Sequence, residues 1–315
     1  MPDTGELSEA KRALLEKYLR GERPQAAKTT TVFSKNTNVE AEVCGPHERV
    51  IPMQSKGSKR PFFFLHGDWT NSSFFCLSLA RELGEERPFY SLDPYGFEDQ
   101  AVLPSLEEMA AAHIKSMRLV QPEGPYLLGG FCNGGLTAYE MARQLNASGQ
   151  KVEVLILMDS IPPRLSGLYH LFNSFGKFLR IPEEKRLNLF LRLQHTYRYA
   201  RERTVEDFEY LKTIDSRIDA LFPPVETLRK EYPAMFIWST AGYESAVYPG
   251  KVTLLWDEAE PERRAWWNNW AKQKDGEVEE HIIPGTHATC KTTHISGMAE
   301  CVRECLNKVS ANDIP

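Results

Sequence analysis

The sequence predicts an α/β fold: a mostly parallel central sheet flanked by helices, with one helical insertion between sheet strands. Three observations carry the prediction. Apolar runs such as RPFFFLHG (60–67) and VEVLILMDS (152–160) lack polar alternation, so they read as strands buried on both faces, as in a parallel sheet. Helical patterns separate these runs from about residue 59 onward, which puts helices on both sides of the sheet. Over roughly 162–248 the alternation stops, and the pattern is helical and aromatic-rich with no good strand.

Residues 1–55 stand apart as an N-terminal helix and linker. LSEAKRALLEKYLR (7–20) begins with a cap in Ser8 and stops at Gly21, and the polar stretch after it has little periodicity. Residues 56–315 are read as the α/β domain. RPFFFLHG is its first buried strand, SFFCLSLARELG (73–84) a helix stopped by glycine, and PFYSLDPYG (88–96) a short strand. SLEEMAAAHIKSMRLVQ (105–121) opens with a capping box, Ser105 to Glu108, and continues as a helix. Next come a strand at Tyr126–Leu128, a glycine-rich turn, an amphipathic helix, and the strand at 152–160. After the helical stretch, a strand KVTLLW (251–256) resumes the alternation. A Trp-rich helix around RRAWWNNWAK (263–272), a strand VEEHIIP (278–284) and a last helix near Ile295–Val309 complete it. A helical insertion between sheet strands, at about 162–248, is what a substrate-covering lid looks like.

Composition excludes several function classes. The chain has 315 residues, of which 42% are hydrophobic and 26% charged, and its net charge is −5. That is ordinary for a soluble globular protein and gives no reason to expect nucleic acid or an anionic membrane as partner. No apolar run reaches the 18 or so residues a membrane helix needs. The N-terminus MPDTGELSEAKR has no apolar signal core, so the expected location is cytoplasmic. The six cysteines form no C-x-x-C pair and no zinc spacing, so reduced thiols and no metal site are expected.

The chemistry concentrates in GPYLLGGFCNGGLTAYEMARQL (124–145). An apolar strand, a glycine turn and a helix are the context of a nucleophile elbow, G-x-S-x-G. Here the elbow is Gly130-Phe131-Cys132-Asn133-Gly134, with sulfur where oxygen is usual. Such a nucleophile needs a base, and the base an orienting acid, in the chain order nucleophile, acid, histidine. His281, His287 and His294 follow the last strands. His281 opens a strand and His294 begins the final helix, whereas His287 lies in the loop GTHATC after Pro284-Gly285, free to reach over the sheet edge. His287 is therefore the expected base. Two aspartates, Asp159 and Asp257, each end a strand, where catalytic side chains of open α/β sheets gather. The residues alone do not separate them. The oxyanion hole is expected from the backbone amide of Asn133 and a second amide in the loop His66-Gly67-Asp68-Trp69, assigned to Trp69. His66 itself reads as structural.

These motifs carry a resemblance. From about Ile51 to Leu306 the chain resembles the type I thioesterase domains that end nonribosomal peptide and polyketide assembly lines, which have an α/β-hydrolase fold. IPMQSKGSKRPFFFLHG is similar to that family's first core strand, GPYLLGGFCNGGLTAYEMARQL to its elbow and elbow helix, LILMDS to its acid-bearing strand, and IIPGTHATC to its P-G-x-H base loop. The resemblance implies Asp159 as the acid, with Asp257 in reserve. It implies a mobile lid, no cofactor of the enzyme's own, and an acyl donor on the phosphopantetheine arm of an acyl or peptidyl carrier protein. The leading LSEAKRALLEKYLRG resembles linkers between assembly-line domains. Cys132 departs from the serine that most relatives carry, although a minority use cysteine.

Sulfur has a chemical rationale. A thiolate is a strong nucleophile, favoured by a neighbouring histidine and a helix N-terminus. Attack on a carrier-bound thioester then exchanges one thioester for another, so the acyl group keeps its activation. That suits transfer to an amine or alcohol, or cyclisation, over hydrolysis by water. Two rivals are weaker. A dienelactone-hydrolase-like protein also uses a cysteine elbow but lacks so large an insertion. A non-catalytic carrier-binding module would have no use for Asp159, His287 and the glycine turn. The segment KRLNLFLRLQHTYRYARER (185–203) has six basic residues and one acidic, so Arg192 and Arg198 are candidates for docking an acidic carrier. Trp266, Trp267 and Trp270 read as helix packing.

Overall fold

The computed structural model of the protein describes residues 50–67, 74–97, 102–160, 167–201, 223–243, 248–258, 264 and 277–310. The chain divides into two units, Met1–Glu42 and Val43–Pro315, and every described residue lies in the second. The expected helix at 7–20, Trp69, and the cluster of Trp266, Trp267 and Trp270 lie outside the described residues.

Among the described residues seven strands form the sheet: β1 (Val50–Gln54), β2 (Phe62–Leu65), β3 (Phe89–Leu92), β4 (Tyr126–Phe131), β5 (Val152–Met158), β6 (Val252–Asp257) and β7 (Val278–Ile283). Their spatial order is β1-β3-β2-β4-β5-β6-β7. Only β1 runs antiparallel, pairing Val50 with Leu92 and Pro52 with Tyr90; the remaining pairs are parallel. The sheet thus begins inside the stretch 1–55 that the sequence reading set aside as helix and linker. VIPMQ is too short and too polar at its flanks to announce itself, and becomes a strand by pairing with the edge of β3.

Among the described residues four helices cover the two faces: α1 (Phe74–Leu83), α2 (Leu106–Val120), α3 (Asn133–Ala147) and α8 (Ile295–Ser310). Alternate side chains of each strand separate into two cores. Phe62, Phe64, Leu127, Phe131, Ile156 and Met158 pack with residues of α1 and α8. Phe63, Leu65, Leu128, Leu155 and Leu157 pack with residues of α2 and α3. The rings of Phe62, Phe63 and Phe64 are wholly buried, each contributing about 2–3 kcal/mol by removal from water. This two-sided burial is why FFFL shows no polar alternation. The capping box at α2 forms both of its bonds: Glu108 N–H donates to Ser105 Oγ at 3.3 Å, and Ser105 N–H donates to Glu108 Oε2 at 2.8 Å.

Between β5 and β6 the described residues are helical: α4 (Gly167–Phe178), α5 (Glu183–Arg201), α6 (Val225–Leu228) and α7 (Tyr232–Thr240). Tyr169, Leu187, Leu191, Met235, Phe236 and Trp238 build a separate core that joins Leu106 and Met109 of α2 and Leu136 of α3. The insertion is also tied by charge. Glu140 of α3, fully buried, accepts hydrogen bonds from Arg143 Nε (2.7 Å), Gln144 Nε2 (2.8 Å) and Tyr243 Oη (2.7 Å), the last arriving just after α7.

Candidate active site

Strand β4 ends at Phe131 and helix α3 starts at Asn133, so Cys132 alone turns the chain. Its φ is 54° and ψ −125°, a conformation costly for a residue with a Cβ and kept only where the surroundings enforce it. Two bonds enforce it here. Cys132 N–H donates to Met158 O at 2.9 Å, and Cys132 O accepts from Gly135 N–H at 3.2 Å. The turn also needs its glycines. A Cβ on Gly130 would stand 2.5 Å from Gly134 O, and one on Gly134 would stand 2.4 Å from Leu65 O. The thiol is thus held at the N-terminus of a fifteen-residue helix, where the dipole favours an anion. Asn133 is the first residue of that helix, so its N–H has no acceptor within the helix.

Asp159 follows β5 and is 1% exposed. Its backbone is also held in a left-handed conformation, φ 41°, by donation from its N–H to Leu255 O at 2.7 Å. His287 Nδ1 is hydrogen-bonded to Asp159 Oδ2, and the Cys132 side chain lies near enough to raise the pKa of the same imidazole. With Nδ1 engaged by the carboxylate, Nε2 is the nitrogen left for sulfur. Burial alone would lower the His287 pKa, but the hydrogen bond to Asp159 and the nearby Cys132, with the charges on both, outweigh it and push it up to about 9. Imidazolium is therefore the resting form at neutral pH.

The base loop is fastened on every side. Glu258 N–H donates to Gly285 O at 3.2 Å, Thr286 N–H to Thr289 Oγ1 at 2.8 Å, and Cys290 N–H to Thr286 O at 2.8 Å. The His287 ring lies against Phe131, centroids 4.7 Å apart and planes inclined 30°, and Lys291 Nζ sits 5.3 Å from the centroid of Phe131. Sequence reading did not single out Phe131 or Lys291, because nothing in a linear pattern tells an aromatic in a buried strand that it will meet a loop histidine. Cys290 Sγ donates to His287 O at 3.5 Å. Burial first, then the charges of Asp159 and Asp257, push that thiol up to about 12, so it stays protonated.

The other sequence candidates separate by position. Asp257, at the end of β6, comes close: polar atoms of Asp159, Asp257 and His287 all lie within 4.8 Å of one another. Two carboxylates and an imidazole are a donor set that suits a divalent cation, but Nδ1 of the histidine is already committed to Asp159. His281 faces Glu279, 2.9 Å away, on the outer strand β7. His66 is wholly buried against Phe75 and 3.9 Å from Asp93, a packing position. Arg192 of α5 is exposed, whereas the side chain of Arg198 lies outside the described residues. Arg186, counted in the same basic run, is internal: it bonds Asn173 Oδ1 and donates to Ile181 O. Charge along a sequence does not show which cations a helix turns inward. No described helix is long and apolar enough to cross a membrane.

Residues 62–305 match a protein family described as Thioesterase domain. Among curated relatives, an atromentin synthetase of Tapinella panuoides is 27% identical over 65% of this chain and 19% of its own length. The polyketide synthase PksR of Bacillus subtilis (strain 168) is 33% identical over 40% of this chain and 5% of its own. The chain thus spans a fifth or less of the length of these relatives. Among solved structures, the NocB thioesterase domain in covalent complex with a fluorophosphonate nocardicin G analog is 20% identical, covering 82% of this chain and 99% of that one at a TM-score of 0.53. The Vlm2 thioesterase domain carrying a dodecadepsipeptide is 21% identical, covering 82% and 98%, also at 0.53. These two likenesses establish the fold, an α/β-hydrolase.

Proposed function

Because this chain belongs to the thioesterase domain family, we propose that it carries an acyl group on Cys132 and passes it to a second acceptor, with His287 as acid and base and Asp159 as the orienting acid. The observation that carries the reading is the hydrogen bond of His287 to Asp159, with the strained Cys132 acting on the same imidazole. In the reactive form, His287 imidazolium is paired with the Cys132 thiolate. The sulfur attacks the thioester carbonyl, and the oxyanion that forms takes a hydrogen bond from the Asn133 N–H. When the tetrahedral intermediate collapses, the donor thiol leaves with the proton of His287, now neutral. An alcohol, amine or water then gives its proton to His287 as it attacks the acyl-cysteine. Collapse expels the Cys132 thiolate and restores the starting ion pair, with ester, amide or acid as product.

The acyl donor in this reading is carried on the phosphopantetheine arm of an acyl or peptidyl carrier protein, and the insertion α4–α7 acts as a lid. The exposed Arg192, with Arg198, offers the carrier's acidic surface a complementary charge. Retention of activation in the acyl-cysteine favours transfer or cyclisation over hydrolysis. Intact-mass analysis of the protein after exposure to acyl thioesters tests the core of it. Wild type should gain one acyl mass, lost on adding amines or alcohols, and Cys132→Ala should gain none. Acylation of Cys132→Ala at the wild-type rate would remove Cys132 from the mechanism.

A further inference from the structure

A small cavity lies beside the residue that follows the nucleophile. Its volume is about 10 Å³, the space of one water-sized group. Leu65, Leu92, Met109 and Phe236 are among the residues that make its walls, and Asn133, His113, Thr137, Tyr95 and Tyr232 are the lining residues with polar side chains. Asn133 is only 5% exposed, and its Oδ1 is a buried acceptor with no hydrogen-bond partner. Leaving such an atom unsatisfied is unfavourable, and native structures rarely do so without a reason in the site's chemistry. His113 is 2% exposed; burial, then the charge of His66, lowers its pKa to about 4. It is therefore neutral at physiological pH, with one ring nitrogen to donate and one to accept.

Resting on the reading of Cys132 as the acylated residue, we propose that this cavity is a subsite for a hydroxyl carried by the acyl group close to its thioester carbonyl. A hydroxyl has both halves of the required complement. It donates to Asn133 Oδ1 and accepts from a neutral imidazole, and it is the size of the space. A charged group is disfavoured because no lining side chain carries a charge, His113 included, near neutral pH. A methyl group in the same place would leave Oδ1 unpaired. Asn133 is linked through its backbone to the residue whose sulfur bonds the carbonyl carbon, so we place the hydroxyl on the second or third carbon of the acyl chain. The substrate class is thus a 2- or 3-hydroxyacyl thioester.

The test uses N-acetylcysteamine thioesters of butanoate, 2-hydroxybutanoate and 3-hydroxybutanoate, with thiol release and intact mass as readouts. In the wild type one hydroxyacyl probe should exceed butanoyl in kcat/KM by about 10-fold or more, as expected where a buried polar group is otherwise left unpaired. Asn133→Leu keeps the backbone amide and removes Oδ1; the ratio of the two substrates, in which any loss of shared chemistry cancels, should fall to about 1. His113→Phe should lower the same ratio. Equal kcat/KM for all probes in the wild type, or a preference that survives Asn133→Leu, overturns the proposal and leaves the cavity a place for water. Binding of the same probes to Cys132→Ala is measured in parallel, with the same preference expected in Kd. Tighter hydroxyacyl binding without acylation of the wild type would refute the nucleophile and retain the subsite. Acylation without preference would do the reverse.

Discussion

Asp159→Asn separates the charge of the acid from its place in the fold. The backbone at 159 has φ 41°, a region asparagine tolerates better than most residues, so the turn after β5 survives. What is lost is the anion facing Nδ1. The rise of the His287 pKa from 6.5 to about 9 is worth roughly 3 kcal/mol of preference for the imidazolium, and Asp159 supplies a hydrogen bond and a charge toward it. Without them only Cys132 still opposes burial, so the imidazole pKa falls from about 9 and up to about 3 kcal/mol of that preference is lost. A loss of 3 kcal/mol in the charged form is about 10²-fold in rate. Misplacing the Nδ1 proton adds to it, and the equivalent change in a serine protease triad costs about 10⁴. Turnover should therefore fall about 10²- to 10⁴-fold. The assay is thiol release from an acyl thioester between about pH 6 and pH 10. In the wild type, loading should fall off as pH rises through about 9, where His287 gives up its proton; in the variant that limb should move to lower pH. The folded pKa lies above the unfolded value of 6.5, so the contribution of the pair to stability is complete below pH 6.5 and vanishes as pH rises through 9. Melting temperatures of the two proteins should thus differ at pH 6 and converge above pH 9. A loss under tenfold with an unmoved alkaline limb would refute the reasoning, and a greater loss in Asp257→Asn would transfer the role to Asp257.

Cys132→Ser should load more slowly, since a hydroxyl depends wholly on His287 to remove its proton. It should also pass less acyl group to amines relative to water, because an oxygen ester is less activated; an unchanged product ratio at fixed acceptor concentration would count against transfer as the reason for sulfur. Arg192→Glu with Arg198→Glu should raise KM for a carrier-tethered acyl group and weaken its dependence on salt. A small thioester should react as before, and equal loss with both substrates would make the segment structural. Glu140→Ala should destabilise the protein by about 1–3 kcal/mol, since it leaves the buried Tyr243 hydroxyl without its carboxylate while Arg143 is partly exposed to water; urea titration gives the shift, and no measurable change would show that the insertion is held by its apolar core alone.

Much of the site was legible as local pattern, because an elbow is a local object. Gly130 and Gly134 flank Cys132 at the spacing a strained strand-to-helix turn requires, and Ser105 with Glu108 caps α2 through atoms three residues apart. Strands buried on both faces announced themselves as unbroken apolar runs, so the parallel sheet and the break in alternation at the insertion were visible in the chain. Pairing across distance was not. Asp159 and Asp257 end neighbouring strands with the same local signature, and only the packing of the base loop against β4 and β5 turns His287 Nδ1 to one of them while holding the other within 4.8 Å. Arg186 and Arg192 share one basic run, yet the first is turned inward to Asn173 and the second outward, a difference set by which face of α5 meets the insertion core. Strand β1 exists because β3 offers it an edge. The ring of Phe131 against His287, and the cavity between Asn133 and His113, likewise arise where elements far apart in sequence converge, and contacts of that kind have no linear signature.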